Sequence, residues 1–175
     1  MTELTPDQAH LLVHALLLGT LKTESRTTRA VLAAVPDERA DYRPDPNAKS
    51  ALELARHIAV AEIRFLECVA CGTFDPAAGA APEHVRTATD VARWYEEAFA
   101  KSFAALAGLS GQELTRSVDF RGMFTRPAYF FLQLCLLHSV HHRGQLSTYL
   151  RPMGGKVPAI YGESYDSAAA KRAQA

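Results

Sequence analysis

The 175-residue chain lacks net charge, because 19 Lys and Arg residues balance 19 Asp and Glu residues. It also lacks a basic block, and proteins that bind nucleic acid through its phosphates draw most of their affinity from clustered Lys and Arg. We therefore expect no nucleic-acid partner.

Long hydrophobic runs are missing as well. The longest wholly apolar run near the N-terminus covers residues 15–18, far short of the about 20 residues that cross a bilayer. The first residues carry Glu3 and Asp7 where a secretory signal carries Lys or Arg. We expect neither a secretory signal nor an association with membranes.

Cysteine is scarce, and its odd count of 3 argues against a disulfide framework. Reduced cysteines are typical of the cytoplasm, which is the expected location. Cys68 and Cys71 form a CxxC motif at the predicted C-terminal end of a helix. The helix dipole disfavours a thiolate there, so these cysteines are interpreted as small buried hydrophobic residues rather than as a redox pair.

Leu and Ala are abundant, and apolar residues recur at spacings of three and four, which predicts a mainly helical chain. Caps and breakers predict four long helices. They run from Thr5 to Pro36, from Ser50 to Gly72, from Thr87 or Thr89 to Gly108, and from Thr125 or Arg126 to Pro152. A polar stretch at residues 20–28 predicts a kink or looser packing in the first helix.

The rest of the chain is predicted to connect these helices. Residues 36–50 and 72–87 are expected to be long loops, followed later by a capped turn at 110–114 and an extended piece at 118–124. The tail, about residues 163–175, is expected to be irregular. The prediction is one all-α domain over residues 1–175, a four-helix bundle of the type that builds metal sites from facing helices.

Three histidines lie close together in the last helix. His138 and His142 are four residues apart, so both can reach one ion on the same helix face. His141 points about 100° away from His142. His57, in an apolar stretch of the second helix, is the natural third ligand. The alternative is that His57 is a hydrogen-bonded core histidine and the other two are partly exposed surface residues.

Two motifs resemble signatures of the DinB/YfiT-like superfamily. Residues 50–59, SALELARHIA, are similar to one signature, and residues 138–146, HSVHHRGQL, are similar to the other, His-x3-His-Arg-Gly-Gln. Segments 35–44 and 149–162 resemble the family too. The resemblance implies a four-helix bundle with up-down-down-up connections, usually a homodimer. It also implies a divalent metal on His57, His138 and His142, with His141 as a neighbour and not a ligand.

The resemblance also implies a chemistry. Family members with known activities are mostly metal-dependent transferases or isomerases that use a low-molecular-weight thiol, such as bacillithiol or mycothiol. The predicted function is accordingly a metal-dependent thiol S-transferase-like enzyme, with zinc or nickel as the expected ion and a small thiol and an electrophile as substrates. One alternative is a hydrolase that uses metal-bound hydroxide, and another is a non-catalytic metal-binding stress-response protein.

Further polar residues are candidates for the surroundings of the site, although none is assigned a catalytic role. Glu53 fits a capping box or a site contact, Gln145 can orient a ligand, and arginines can hold a carboxylate in bidentate fashion. The candidates are Glu53, His141, Gln145, Arg43, Arg126 and, less directly, Arg143.

Overall fold

A computed structural model describes residues 3–174 and confirms the all-α fold. Its helices are α1 (Pro6–Leu12), α2 (Leu18–Ala33), α3 (Ala51–Cys71), α4 (Ala88–Ala107), α5 (Gly111–Thr115), α6 (Ala128–Leu150) and α7 (Tyr165–Arg172). An antiparallel hairpin is formed by β1 (Ser117–Asp119) and β2 (Thr125–Pro127). Residues 1, 2 and 175, part of the acidic N-terminal segment and of the predicted tail, lie outside the described residues.

The helix starts follow the predicted caps. Thr5, Ser50 and Thr87 each form a capping box with the residue three positions later, which settles the third helix start on Thr87. The last long helix begins at Ala128, later than predicted. The reason is that Thr125 and Arg126 pair with β1 as a strand instead of continuing the helix.

The irregular turn of the first helix lies earlier than the predicted one. A π-helical turn at Val13–Leu17 joins α1 to α2, whereas residues 20–28 are regular α-helix. The hydroxyls of Thr20 and Thr23 donate to backbone carbonyls four residues earlier. These polar side chains are thus satisfied on their own helix and do not interrupt it.

The prediction of an irregular tail is wrong, because α7 occupies most of it. Ser164 and Ser167 form a capping box at its start. Asp166 accepts hydrogen bonds from Arg151 Nε and from the backbone nitrogen of Val157, both at 3.0 Å. The tail is held by its cap and by these contacts with the chain just after α6.

The α6 helix runs antiparallel to α3 and parallel to α2. Two contacting pairs show the first relation, His57 with His142 and Glu62 with Ser139. The second follows because Gly155, beyond the end of α6, lies against the carbonyl of Ala34, beyond the end of α2.

The α4 helix runs parallel to α3, because residues 72–87 return along the bundle. We call residues 72–87 the crossover segment. Arg64 Nε donates to the carbonyl of Ala78, and the backbone nitrogen of Gly79 donates to Glu67. An ion pair between Arg29 and Glu96 joins α2 to α4. The four long helices α2, α3, α4 and α6 therefore run up, down, down and up, as the resemblance implied.

The core is centred on α3 more than on α6. Eleven of the 21 residues of α3 are buried, against nine of the 23 residues of α6, so the apolar α6 leaves part of its surface uncovered. Leu137 is 61% exposed and Val140 is 37% exposed.

Within residues 3–174, none of the helices has the length and apolar character needed to span a membrane.

Candidate metal centre

Three imidazoles meet between α3 and α6. His57 Nε2 lies 3.2 Å from His142 Nε2 and 3.1 Å from His138 Nε2. One nitrogen from each ring lies within 4.8 Å of the others. Ligand nitrogens about 2.0–2.1 Å from a tetrahedral ion stand roughly 3.3 Å apart, so this spacing fits a divalent ion.

The surroundings favour the neutral form of two of the rings, His57 and His138. Burial is the main cause that lowers the pKa of His57, followed by the charges of His142, Lys49 and Arg64. Burial also lowers the pKa of His138 to about 4, again with smaller contributions from the neighbouring histidines. Neutral imidazoles are the form that binds metal, so the site is prepared for an ion at neutral pH.

Hydrogen bonds and packing orient the ligand rings. His142 Nδ1 lies 3.1 Å from Gln145 Oε1, and an N–H donated there directs the lone pair of Nε2 towards the other histidines. His138 Nδ1 is buried and has no hydrogen-bond partner among the described residues. An unsatisfied buried nitrogen costs about 1–3 kcal/mol. An ion bound through Nε2 would leave this Nδ1 unpaired, so the role of His138 as a ligand rests on the position of its Nε2 beside His57.

One end of the site is closed by aromatic rings. The ring of Phe65 lies against His138, with centroids 5.8 Å apart. Phe65 belongs to a phenylalanine cluster drawn from α3, the crossover segment, the hairpin and α6: Phe65, Phe74, Phe120, Phe124, Phe130 and Phe131. The rings pack against one another and shield this side of the histidines from water.

Glu53 and Arg43 are engaged with each other at the start of α3. Glu53 completes the capping box with Ser50, and Arg43 Nη1 lies 2.9 Å from Glu53 Oε2. The Ser50 backbone N–H and then Arg43 hold the pKa of Glu53 below its usual range. The pair lies one turn before His57, with its charges compensated.

The other predicted residues lie in three different environments. Arg126 stacks over Phe124 and lines a 650 Å³ groove along α6 in which none of the three histidines takes part. Arg143 is 1% exposed and binds the carboxylate of Glu24 on α2. His141 is exposed, with its ring centroid 4.7 Å from that of His142.

The cysteines carry no sign of redox chemistry. Cys68, Cys71 and Cys135 are free, and burial raises the pKa of Cys68 to about 12. Such a thiol stays protonated, which agrees with the interpretation of Cys68 as a buried apolar residue. The same interpretation is wrong for Cys71, which is exposed at the end of α3.

A buried carboxyl group behind the histidines was missed from sequence. Glu62 accepts hydrogen bonds of 2.7 Å from Tyr95 and from Ser139, and burial raises its pKa. Glu62 lies midway between the buried residues Ile58 and Leu66. That spacing of four would have placed it in the core. Lys49 and Arg64, whose charges reach His57, were also missed.

Comparison with known proteins identifies the family. The model of the DinB family matches residues 8–174. The chain belongs to the DinB family. The DinB-family chain is 29% identical over 129 residues to the uncharacterized protein YjoA of Bacillus subtilis, covering 73% of this chain and 82% of YjoA.

Solved structures of DinB-like proteins share the fold. The crystal structure of YjoA superposes with a TM-score of 0.70 at 24% identity and covers 84% of this chain and 99% of that one. A DinB-like protein from Bacillus cereus ATCC 10987 gives a TM-score of 0.70 at 25% identity, covering 83% of this chain and 95% of its own. The bundle described above is therefore the DinB fold.

Proposed function

We propose that this DinB-family protein is a metal-dependent enzyme that transfers a low-molecular-weight thiol to an electrophile. One divalent ion, zinc or nickel, would be held by His57, His138 and His142. The observation that carries the proposal is the convergence of three imidazole nitrogens from two antiparallel helices. The thiol chemistry is drawn from the resemblance to family members of known activity.

The donor set favours catalysis over a purely structural role. Structural zinc sites are usually closed by four protein ligands, whereas catalytic sites use three and keep a position open. Within residues 3–174, no fourth His, Cys, Asp or Glu joins the three histidines. An open position is what a thiol or a water molecule requires.

The ion and the protein residues would have different roles in the transfer reaction. A bound divalent ion lowers the pKa of a thiol and so favours the nucleophilic thiolate at neutral pH. His57, His138 and His142 fix where that sulfur stands, Gln145 orients His142, and Phe65 keeps water from one side. The sulfur forms a bond to the electrophilic carbon while that carbon loses its leaving group, and the thiol proton passes to solvent.

A conjugation assay tests the proposal. Metal-loaded protein is incubated with bacillithiol, mycothiol, glutathione or coenzyme A and a model electrophile. We expect a rate above the uncatalysed reaction with at least one thiol, loss of that rate in His57→Ala, and retention in Cys68→Ser and Cys71→Ser. Uncatalysed rates with every thiol at full metal occupancy would contradict the proposal and favour a non-catalytic metal-binding role in a stress response.

The hydrolase alternative depends on a general base beside the open position. Glu53 is occupied by its cap and by Arg43, which leaves the exposed His141. Ester hydrolysis without added thiol, lost in His141→Ala at unchanged metal content, would favour that alternative.

We also propose that two copies associate and that the protein works in the cytoplasm. The exposed Leu137 and Val140 on α6 and the adjoining 650 Å³ groove offer an apolar face for a second copy. The free state of the three cysteines supports a reducing compartment.

A further inference from the structure

We propose that the histidine site takes a thiol that carries a carboxylate, and that Arg64 is the residue that holds this carboxylate, assisted by the charge of Lys49. The proposal rests on the proposed function and names the substrate class and a positioning residue for the same site. It replaces Arg43 and Arg126, which the sequence suggested for this task.

The first support is the position of Arg64 on α3. It follows His57 by seven residues, which returns it to nearly the same helix face about 10 Å along the axis. Side chains on a helix lean towards its N-terminus, so that of Arg64 leans towards His57. Lys49 stands on the other side of His57, just before the N-cap Ser50.

The second support is that both cations are available. Among residues 3–174, neither Arg64 nor Lys49 takes part in an ion pair. Arg64 uses Nε for the carbonyl of Ala78, and its two Nη atoms make no hydrogen bond within the described part of the chain. Arg43, by contrast, is neutralised by Glu53.

The third support is the charge of the ion that the site would hold. A divalent ion on three neutral imidazoles would keep both of its charges. Together with Arg64 and Lys49, it would favour a ligand with two negative groups, a thiolate and a carboxylate.

A pair of simple thiols tests the proposal without any assay of turnover. Cobalt-loaded protein is titrated with 3-mercaptopropionate and with uncharged 2-mercaptoethanol, and binding is followed by the sulfur-to-cobalt absorption. We expect the charged thiol to bind about tenfold more tightly, equivalent to about 1.4 kcal/mol. Arg64→Gln should abolish most of this preference, and Lys49→Gln should reduce it by a smaller factor.

Two further variants separate charge from structure. Arg64→Lys loses the Nε bond to Ala78 but keeps the charge, so it should retain most of the preference. Arg126→Gln removes an arginine from the separate groove along α6 and should leave the preference unchanged. Equal binding of the two thiols by the parent protein, or an unchanged preference in Arg64→Gln, would overturn the proposal.

A non-thiol probe distinguishes this proposal from the proposed function. Calorimetry compares succinate with uncharged succinamide on the parent and on Arg64→Gln. If no thiol binds but succinate is preferred in an Arg64-dependent way, the anion site stands and the thiol chemistry fails. If the parent shows no preference for either charged probe, the anion site fails whatever the metal content.

Discussion

The neutral state of His138 predicts a loss of stability in acid. Burial lowers the pKa of this ring from 6.5 to about 4. Between these two pH values the unfolded chain binds a proton that the folded protein does not, so the free energy of unfolding falls as pH falls through this window. A shift of this size corresponds to about 3 kcal/mol. Partial exposure of the ring reduces the expected effect to about 2 kcal/mol.

Urea unfolding of the metal-free protein measures this effect. We expect the difference in stability between pH 7 and pH 4 to shrink by about 2 kcal/mol in His138→Gln, which cannot take up the proton. His141→Gln is the matched control, because His141 lies on the same helix but is exposed. An equal loss of stability in acid for the parent and His138→Gln would refute the reasoning.

Three further predictions concern the metal, the assembly and the crossover segment. His57→Ala should remove most of the bound divalent metal in elemental analysis and His141→Ala little, whereas equal losses would mean that the ligand set is wrong. Light scattering should give a dimer mass at micromolar concentration, with weaker association in Leu137→Glu, and a monomer mass at every dilution would contradict the proposed interface. Gly79→Ala should destabilise the protein by about 2–3 kcal/mol in urea unfolding, because Gly79 has a φ of +67° and a Cβ would lie 2.6 Å from the backbone nitrogen of Arg64. Gly122→Ala, with a φ of +74° and open space around the position, should cost only about 1 kcal/mol, and equal costs would show that the close approach does not matter.

Features formed by residues close together in the chain were predictable from the sequence. The capping boxes at Thr5 and Ser50 join residues only three positions apart, so their geometry depends on little beyond the helix itself. The same holds for His138 and His142, whose spacing of four places them on one face. The expectation that His57 would meet them required only that α3 and α6 pack side by side.

The surroundings of the site were not predictable in this way, because they depend on contacts between distant segments. Phe74 and Phe120 lie in a predicted loop and a predicted extended piece, and only the return of the crossover segment and the folding of the hairpin bring them to Phe65. Arg126 was expected near the site, but strand pairing places it in another groove. Nothing in the sequence distinguishes Arg64, because its contact with Ala78 depends on how the crossover segment returns along α3.

Arg143 has a consequence for any attempt to redesign the metal centre. It follows His142 directly, so the two side chains leave α6 about 100° apart, one towards α3 and the other towards α2. The guanidinium is held there by Glu24, Thr28 and Tyr161. A rotation of α6 about its own axis would move His138 and His142 away from His57. It would also separate the buried Arg143 from its partners, at a cost of several kcal/mol. The ion pair between Arg143 and Glu24 thus sets the angle at which the histidines face α3, and variants of Arg143 are expected to change metal affinity although Arg143 is not a ligand.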